Sequence, residues 1–297
     1  MPLAQNLSLE GRTIGFIGLG LMGKPMALNL HAQGAHVYVN NRSQGVIDEL
    51  TAAGMHRAGT PRDVAKHANI VILMLPDTTA VETVLFGKDG VAEGLGPDSL
   101  VVDMGTTEAT ATRAFAKRTQ ALGGSYVDAP VSGGTIGAET GTLVFMVGGT
   151  VVAFDRVRTI LDVLGKNAVH VGDVGAGQVA KAANQVIVGL TISAVSEALK
   201  LAERAGVDPA KVREALSGGF AGSRILEVHG QRMIDGEFTP GGKCVTQRKD
   251  LYQALKLAAE YDLNLPTTAL VMDQYDRIIE AGFGELDHAA LIKVLDI

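Results

Sequence analysis

Cysteine is almost missing from this chain. Cys244 is the single thiol in 297 residues, which excludes an internal disulfide and suits a reducing compartment, so a cytoplasmic location is expected. There is no run of basic residues, and the formal net charge is −6, so nucleic acid is not an expected partner. The most continuous apolar stretch, "NQVIVGLTISAV", is interrupted by Thr191 and Ser193 and reads as too short to cross a bilayer, so no membrane partner is expected either. The start, "MPLAQNLSLEGR", has no basic segment followed by an apolar core, and residues 1–11 read as a loose N-terminal extension rather than a secretory signal. With 32 acidic against 26 basic residues, any anionic ligand must meet positive charge concentrated locally.

What is present is the composition of an ordinary folded chain, 46% hydrophobic and 20% charged. Its length exceeds a usual single core, so two domains are expected. From Thr13 onward, short apolar runs alternate with helical patterns: "TIGFIG", "HVYVN", "NIVILML", "SLVVDM", "YVDAP", "LVFMVGG" and "AVHV". Such alternation implies a mainly parallel sheet covered by helices. Past residue 175 only helical patterns remain, beginning with "AGQVAKAANQVIVGLTISAVSEALKLAERAG". A helix of that length would run roughly 45 Å, long enough to bridge domains. The expected division is therefore 12–172 for the sheet domain and 173–297 for an all-helical domain opened by a long interdomain helix.

The stretch "TIGFIGLGLMGKPMALNL" spaces Gly18, Gly20 and Gly23 as GxGxxG. The pattern alone is weak in a chain with 37 glycines. Here, however, a strand precedes it, a helical pattern starts near Leu21, and a second strand follows. Gly18 permits the tight turn, Gly20 lets the backbone approach a pyrophosphate, and Gly23 allows close helix–strand packing. The uncovered N–H groups of the helix then favour an anion. The reading is a Rossmann-type, doubly wound α/β domain that binds a dinucleotide. At the end of the second strand an NAD-specific protein usually carries Asp or Glu, but this chain reads "VNNRS", with Asn40, Asn41, Arg42 and Ser43. No carboxylate stands there to repel a 2′-phosphate, and Arg42 can grip one bidentately. NADP is favoured, while NAD stays open because Arg42 can equally be a solvated loop residue.

Candidate substrate groups follow. Thr106, in "DMGTT", would lie at the carboxyl edge of the sheet. In "VDAPVSGGTIGAETGTL", Ser132, Gly133 and Gly134 can turn successive N–H groups toward a carboxylate, or form a simple turn. Lys181 and Asn184 sit i, i+3 on the long helix and share a face. The positive end of the helix dipole raises the cost of an ammonium there, the condition for proton exchange near neutrality. On spacing alone, a snorkelling lysine remains the common alternative. Lys249–Asp250, in "QRKDLYQAL", is a second pair, readable also as a surface ion pair in a helix's first turn.

Together "FIGLGLMGKPMALNL", "DAPVSGG", "GAGQVAKAANQ" and the later "KDL" resemble, in order and spacing, the β-hydroxyacid dehydrogenases, the family that includes 3-hydroxyisobutyrate dehydrogenase. The likeness runs from about residue 12 to the end. It implies that Lys181 is the catalytic acid/base, that Asn184 contacts substrate, and that Ser132, Gly133 and Gly134 form the substrate loop. It also implies Lys249 near the cofactor and Thr106 on the nicotinamide side. The candidate cofactor contacts are Gly18, Gly20, Leu21, Met22, Gly23, Asn41, Arg42, Ser43, Leu75, Pro76, Thr106, Lys249 and Asp250. Three details, "SGGTIGAETGTL", "KAANQVIVGL" and "GGFAGSRIL", resemble the tartronate semialdehyde reductase branch. Lys243, Gln247 and Arg248 depart from the more apolar approach expected before Lys249. The implied function is NADPH-dependent reduction of a small carboxylated semialdehyde. Other branches handle 3-hydroxyisobutyrate, succinic semialdehyde or glyoxylate, and a non-catalytic NADP-binding scaffold is the alternative from another class. Small residues along the long helix (Ala182, Ala183, Gly189, Ala194) suit packing against a second copy, so a homodimer or homotetramer is expected.

Overall fold

The computed structural model describes residues 7–297. Of the expected extension, 1–6 lie outside the described residues. Leu9 corrects the rest of that expectation: it is fully buried in the first core, and its N–H donates to the carbonyl of Gln33 at 2.7 Å. The burial of this one apolar side chain, with its backbone bond, ties the start of the described chain down.

The chain divides into two compact units, the first running to Lys181 and the second Ala182–Ile297. The first holds β1 (Thr13–Ile17), α1 (Gly23–Ala32), β2 (His36–Asn40), α2 (Gln44–Ala52), β3 (His56–Arg57) and α3 (Pro61–His67). It continues with β4 (Ile70–Leu73), α4 (Thr78–Phe86), β5 (Leu100–Asp103), α5 (Ala109–Ala121), β6 (Ser125–Asp128) and β7 (Val131–Ser132). Then come α6 (Gly134–Thr140), β8 (Leu143–Gly148), α7 (Val151–Leu164), β9 (Gly165–Gly172) and the start of α8 (Ala176–Arg204). The second unit holds the rest of α8, α9 (Pro209–Ser217), α10 (Arg224–Asp235), α11 (Cys244–Ala259), α12 (Pro266–Ile278) and short helical turns over Ile279–Phe283 and His288–Asp296.

The strand order is β3-β2-β1-β4-β5-β6-β8-β7, with β9 pairing β8. β1 to β6 are parallel, whereas β8 runs antiparallel to both β6 and β7. Both faces are buried, as a parallel sheet requires. Ile14, Phe16, Val37, Val39, Ile72 and Val102 join one core with α1 and α7; Ile17, Val71, Leu73 and Val101 join the other with α3 and α4. This is period-two alternation spent on two apolar layers. Gly15 sits on the second face, where an added Cβ would lie 2.3 Å from Val64, so α3 rests directly on β1.

In the second unit, Ile192, Val195 and Leu199 of α8 pack with Leu226, Met233, Leu251, Val271, Tyr275 and Ile278. Their i, i+3, i+7 spacing is one helical stripe. Contrary to expectation, α8 is long and apolar enough to cross a membrane by length and composition. Thr191 and Ser193 dilute the run too little to change this. The apolar stripe is nevertheless engaged in the core of its own unit. The expected boundary at 172–173 precedes α8; the compact units part in its second turn, because its first turn is bonded to the end of β6.

Candidate active site

The glycine turn has the shape that a dinucleotide requires. Gly18 has φ +97°, and a Cβ there would lie 2.3 Å from the Met74 carbonyl oxygen. A Cβ on Gly23 would lie 1.9 Å from the Gly18 carbonyl oxygen, so α1 starts in contact with β1. A Cβ on Gly20 would meet nothing within 4 Å, which leaves its space open for a ligand. The helix begins at Gly23 with no side chain capping it, beside Met22 and the exposed Leu21. These residues fit a pyrophosphate on the helix N-terminus.

Asn41 behaves differently from a free ribose contact. Its Oδ1 accepts from the Leu19 N–H at 3.1 Å, and its Nδ2 donates to the Ser43 carbonyl at 3.4 Å, so it ties the glycine turn to the end of β2. Arg42 is exposed and makes no ion pair among the described residues; Ser43 precedes α2 without capping it through its side chain. Leu75 is half-buried beside Gly18, and Pro76 is exposed.

Two buried carboxylates lie behind these loops. Asp103 and Asp128 end β5 and β6 and face each other in register. Asp103 accepts from Thr107 Oγ1 at 2.7 Å, the Gly105 N–H at 3.0 Å and the Tyr126 hydroxyl at 3.3 Å. Burial pushes its carboxyl up to about 7, and the neighbouring Asp128 charge adds to this. Asp128 is raised to about 6, again by burial, against the backbone N–H groups that favour its charged form. Those donors are the amides of Gly175 at 2.7 Å and Gln178 at 2.9 Å, at the N-terminus of α8. Asp128 thus anchors the helix by its positive end. Gly177 makes this possible, since a Cβ there would lie 2.4 Å from the Met146 carbonyl oxygen. Gln178 completes the join: its Oε1 accepts from the Thr107 N–H at 3.0 Å and its Nε2 donates to the Gly105 carbonyl at 2.9 Å, which braces half-buried Thr106 on both sides. Asp103, Asp128 and Gln178 were not among the expected site residues. An acid closing each of two largely buried strands, "VVD" and "YVD", was the available signal.

One turn beyond this anchor stands Lys181, 7% exposed. Its Nζ donates to the Val131 carbonyl at 2.8 Å, immediately before Ser132. Gly133 and Gly134 follow with φ of +132° and +60°, two consecutive left-handed residues that side-chain-bearing residues rarely adopt. The fold therefore brings Lys181 and the Ser132–Gly134 loop together.

The second unit carries a buried amide network. Asn184 Nδ2 donates to Gln185 Oε1 at 2.8 Å; Gln185 Nε2 donates to Asp250 Oδ2 at 2.5 Å and Gln247 Oε1 at 3.2 Å. Lys249 pairs with Asp250 Oδ1 at 3.1 Å. Asp250 is 3% exposed, its Oδ2 hydrogen-bonded to Gln185 and its Oδ1 ion-paired with Lys249 but without a hydrogen bond, so it is placed as a support for Lys249 and Gln185 rather than as a surface contact, and the pair lies beyond the first turn of α11. Of the three unexpected polar residues, Lys243 pairs with Glu285 at 2.6 Å, Arg248 forks onto Asp276 at 2.7 and 3.2 Å, and Gln247 is buried in the network.

A family model described as the NAD-binding domain of 6-phosphogluconate dehydrogenase matches residues 13–172, and one described as the NAD-binding domain of NADP-dependent 3-hydroxyisobutyrate dehydrogenase matches residues 175–295. The chain belongs to the NAD(P)-dependent β-hydroxyacid dehydrogenases, the 3-hydroxyisobutyrate dehydrogenase-like enzymes. It is 48% identical over 284 residues to 2-hydroxy-3-oxopropionate reductase of Escherichia coli K12, covering 96% of this chain and 97% of that one. Among solved structures, 3-hydroxyisobutyrate dehydrogenase of Mycobacterium tuberculosis with L-serine superposes with a TM-score of 0.86 at 30% identity, covering 96% and 99% of the two chains. Psf3 in complex with NADP+ and 2-OPP gives 0.89 at 25% identity, covering 95% and 99%. This protein is accordingly an oxidoreductase that uses a nicotinamide cofactor.

Proposed function

We propose that the enzyme reduces 2-hydroxy-3-oxopropanoate (tartronate semialdehyde) to glycerate with NADPH. The reading is carried by Lys181, a buried ammonium bonded beside a glycine loop suited to a carboxylate. It is supported by the 48% identity to 2-hydroxy-3-oxopropionate reductase. When bound, the reduced nicotinamide supplies a hydride to the aldehyde carbon. Lys181 gives one proton to the aldehyde oxygen as negative charge develops there, and its amine regains a proton from solvent. One hydride and one proton account for the primary alcohol, and the reverse direction uses neutral Lys181 as base. Ser132 and the N–H groups of Gly133 and Gly134 seat the carboxylate, and Asn184 holds the substrate beside the reacting carbon. Thr106 and Lys249 take the roles that the family resemblance carries over to them. Arg42 and Ser43, with no carboxylate at the end of β2, select the 2′-phosphate of NADPH.

We assign the enzyme to the cytoplasm as a homo-oligomer. The exposed Ile187 and Leu201 on α8 and Leu270 on α12 support self-association through the helical unit. A panel of aldehydes tests the function: 2-hydroxy-3-oxopropanoate, the semialdehydes of methylmalonate and succinate, and glyoxylate, each with NADPH and NADH. The highest kcat/KM is expected for 2-hydroxy-3-oxopropanoate with NADPH; a higher value for another aldehyde overturns the substrate assignment.

A further inference from the structure

The amides at 184, 185 and 247 cannot be oriented independently. Asp250 presents a carboxylate, held beside the Lys249 ammonium at 3.1 Å, and a carboxylate only accepts. Gln185 must therefore turn its nitrogen toward Asp250, at 2.5 Å. Gln247 imposes the same choice from the other side. Its Nε2 donates to the Gln185 main-chain carbonyl at 3.1 Å, so its Oε1 faces Gln185 and also requires the Gln185 nitrogen, at 3.2 Å. Gln185 and Gln247 are 8% and 1% exposed, where an inverted amide would set two oxygens against each other with no water to relieve them. Gly189 keeps the space clear, since a Cβ there would lie 2.9 Å from Gln247 Nε2.

The consequence passes to Asn184. With its nitrogen fixed, Gln185 offers only Oε1, and Asn184 must answer with Nδ2, at 2.8 Å. One of the two Nδ2 hydrogens of Asn184 is thereby committed and the orientation of the amide is fixed, with Oδ1 taking no hydrogen bond among the described residues. An amide oxygen accepts and cannot donate. It is unfavourable beside an aldehyde oxygen gaining negative charge and favourable beside a hydroxyl.

We infer that Gln185 is a specificity-determining positioning residue: it sets Asn184 as an acceptor for a substrate hydroxyl on the carbon next to the aldehyde. Lys181 then serves the reacting oxygen and Asn184 the neighbouring hydroxyl. The inference rests on the proposed reduction of a hydroxylated semialdehyde and extends it by naming the residue that reads the hydroxyl.

The test compares kcat/KM for 2-hydroxy-3-oxopropanoate and for 3-oxopropanoate, which lacks only the hydroxyl. Both need the same hydride and the same proton, so their ratio is independent of the active fraction of each preparation. One hydrogen bond of ordinary strength predicts a wild-type ratio of about ten or more. Gln185→Met, which neither donates nor accepts strongly, should bring the ratio close to one, mainly by lowering kcat/KM for the hydroxylated aldehyde. The triple substitution Gln185→Glu, Asp250→Asn and Gln247→Met reverses the bond between residues 185 and 250, removes the Gln247 oxygen that would otherwise face the new carboxylate, and still offers an oxygen to Asn184 Nδ2, so it should restore the preference. It is also the deciding variant should Gln185→Met fail to fold. A ratio unchanged in Gln185→Met, absent in the wild type, or lost in the triple variant overturns the inference. Wild-type protein that reduces neither aldehyde with either cofactor removes the functional reading itself, a different outcome from a wild type that reduces both equally.

Discussion

Asp103 and Asp128 occupy paired positions at the ends of adjacent parallel strands, both fully buried, and Asp128 accepts hydrogen bonds from the N-terminus of the helix that bears Lys181. Two acids so placed give the fold a pH dependence with a definite sign. Both carboxyls ionise in the unfolded chain near their ordinary value of 3.8, but at about 7 and 6 in the fold. Between those limits the native state holds more protons than the unfolded state, so stability falls as pH rises. The melting temperature is expected to decline from pH 5 to pH 8, and Asp103→Asn should flatten that decline. Calorimetric scans at one-unit intervals check this; an unaltered slope in the variant would remove Asp103 as the cause.

The glycines of the turn should separate folding from binding. Gly20→Ala adds a methyl where nothing lies within 4 Å, so its melting temperature should match wild type while NADPH affinity falls. Gly18→Ala imposes a left-handed conformation and a clash with Met74, a strain of roughly 1–3 kcal/mol that should cost several degrees. Thermal melts paired with cofactor titrations distinguish the two, and equal melting temperatures would contradict the assignment of Gly18 to the turn.

Lys181→Met should lower kcat by about 10²- to 10⁴-fold, the usual contribution of a positioned acid. NADPH affinity should stay close to normal, since the group lost belongs to proton transfer. Single-turnover rates and fluorescence titration provide the two readings. Turnover at the wild-type rate would end the catalytic assignment.

Arg42→Ala should abolish the discrimination between NADPH and NADH. A charge-assisted hydrogen bond of about 1.5–3 kcal/mol corresponds to a roughly 10- to 100-fold loss of NADPH affinity, with NADH nearly unaffected. Titration calorimetry with both cofactors measures the ratio. If the preference persists in the variant, Arg42 is a bystander.

Much of this architecture could be read before any coordinates, because its signals are local. Each apolar run named from the sequence is a strand, and the glycine turn announces itself through spacing and flanking elements. The two-residue strands His56–Arg57 and Val131–Ser132 carry no alternation to detect and exist only through their neighbours. The buried polar links were equally illegible. Gln178 bonds to groups 71 and 73 residues away, and Gln185 to groups 62 and 65 residues away. An amide that pairs across such distances leaves no periodicity behind. The resemblance could name Lys181, Asn184 and Lys249, and Asp250 beside the last of these, but not the amides of Gln178 and Gln185 that join distant segments.

The single cysteine offers an experimental handle. Cys244 is wholly enclosed among the helices of the second unit, its Sγ donates to the Asp287 carbonyl at 3.4 Å, and burial pushes its thiol up to about 12. An alkylating reagent can reach it only when those helices separate, because the reactive thiolate is otherwise both hidden and scarce. With no second thiol to compete, the rate of labelling is a direct clock for opening of the helical half.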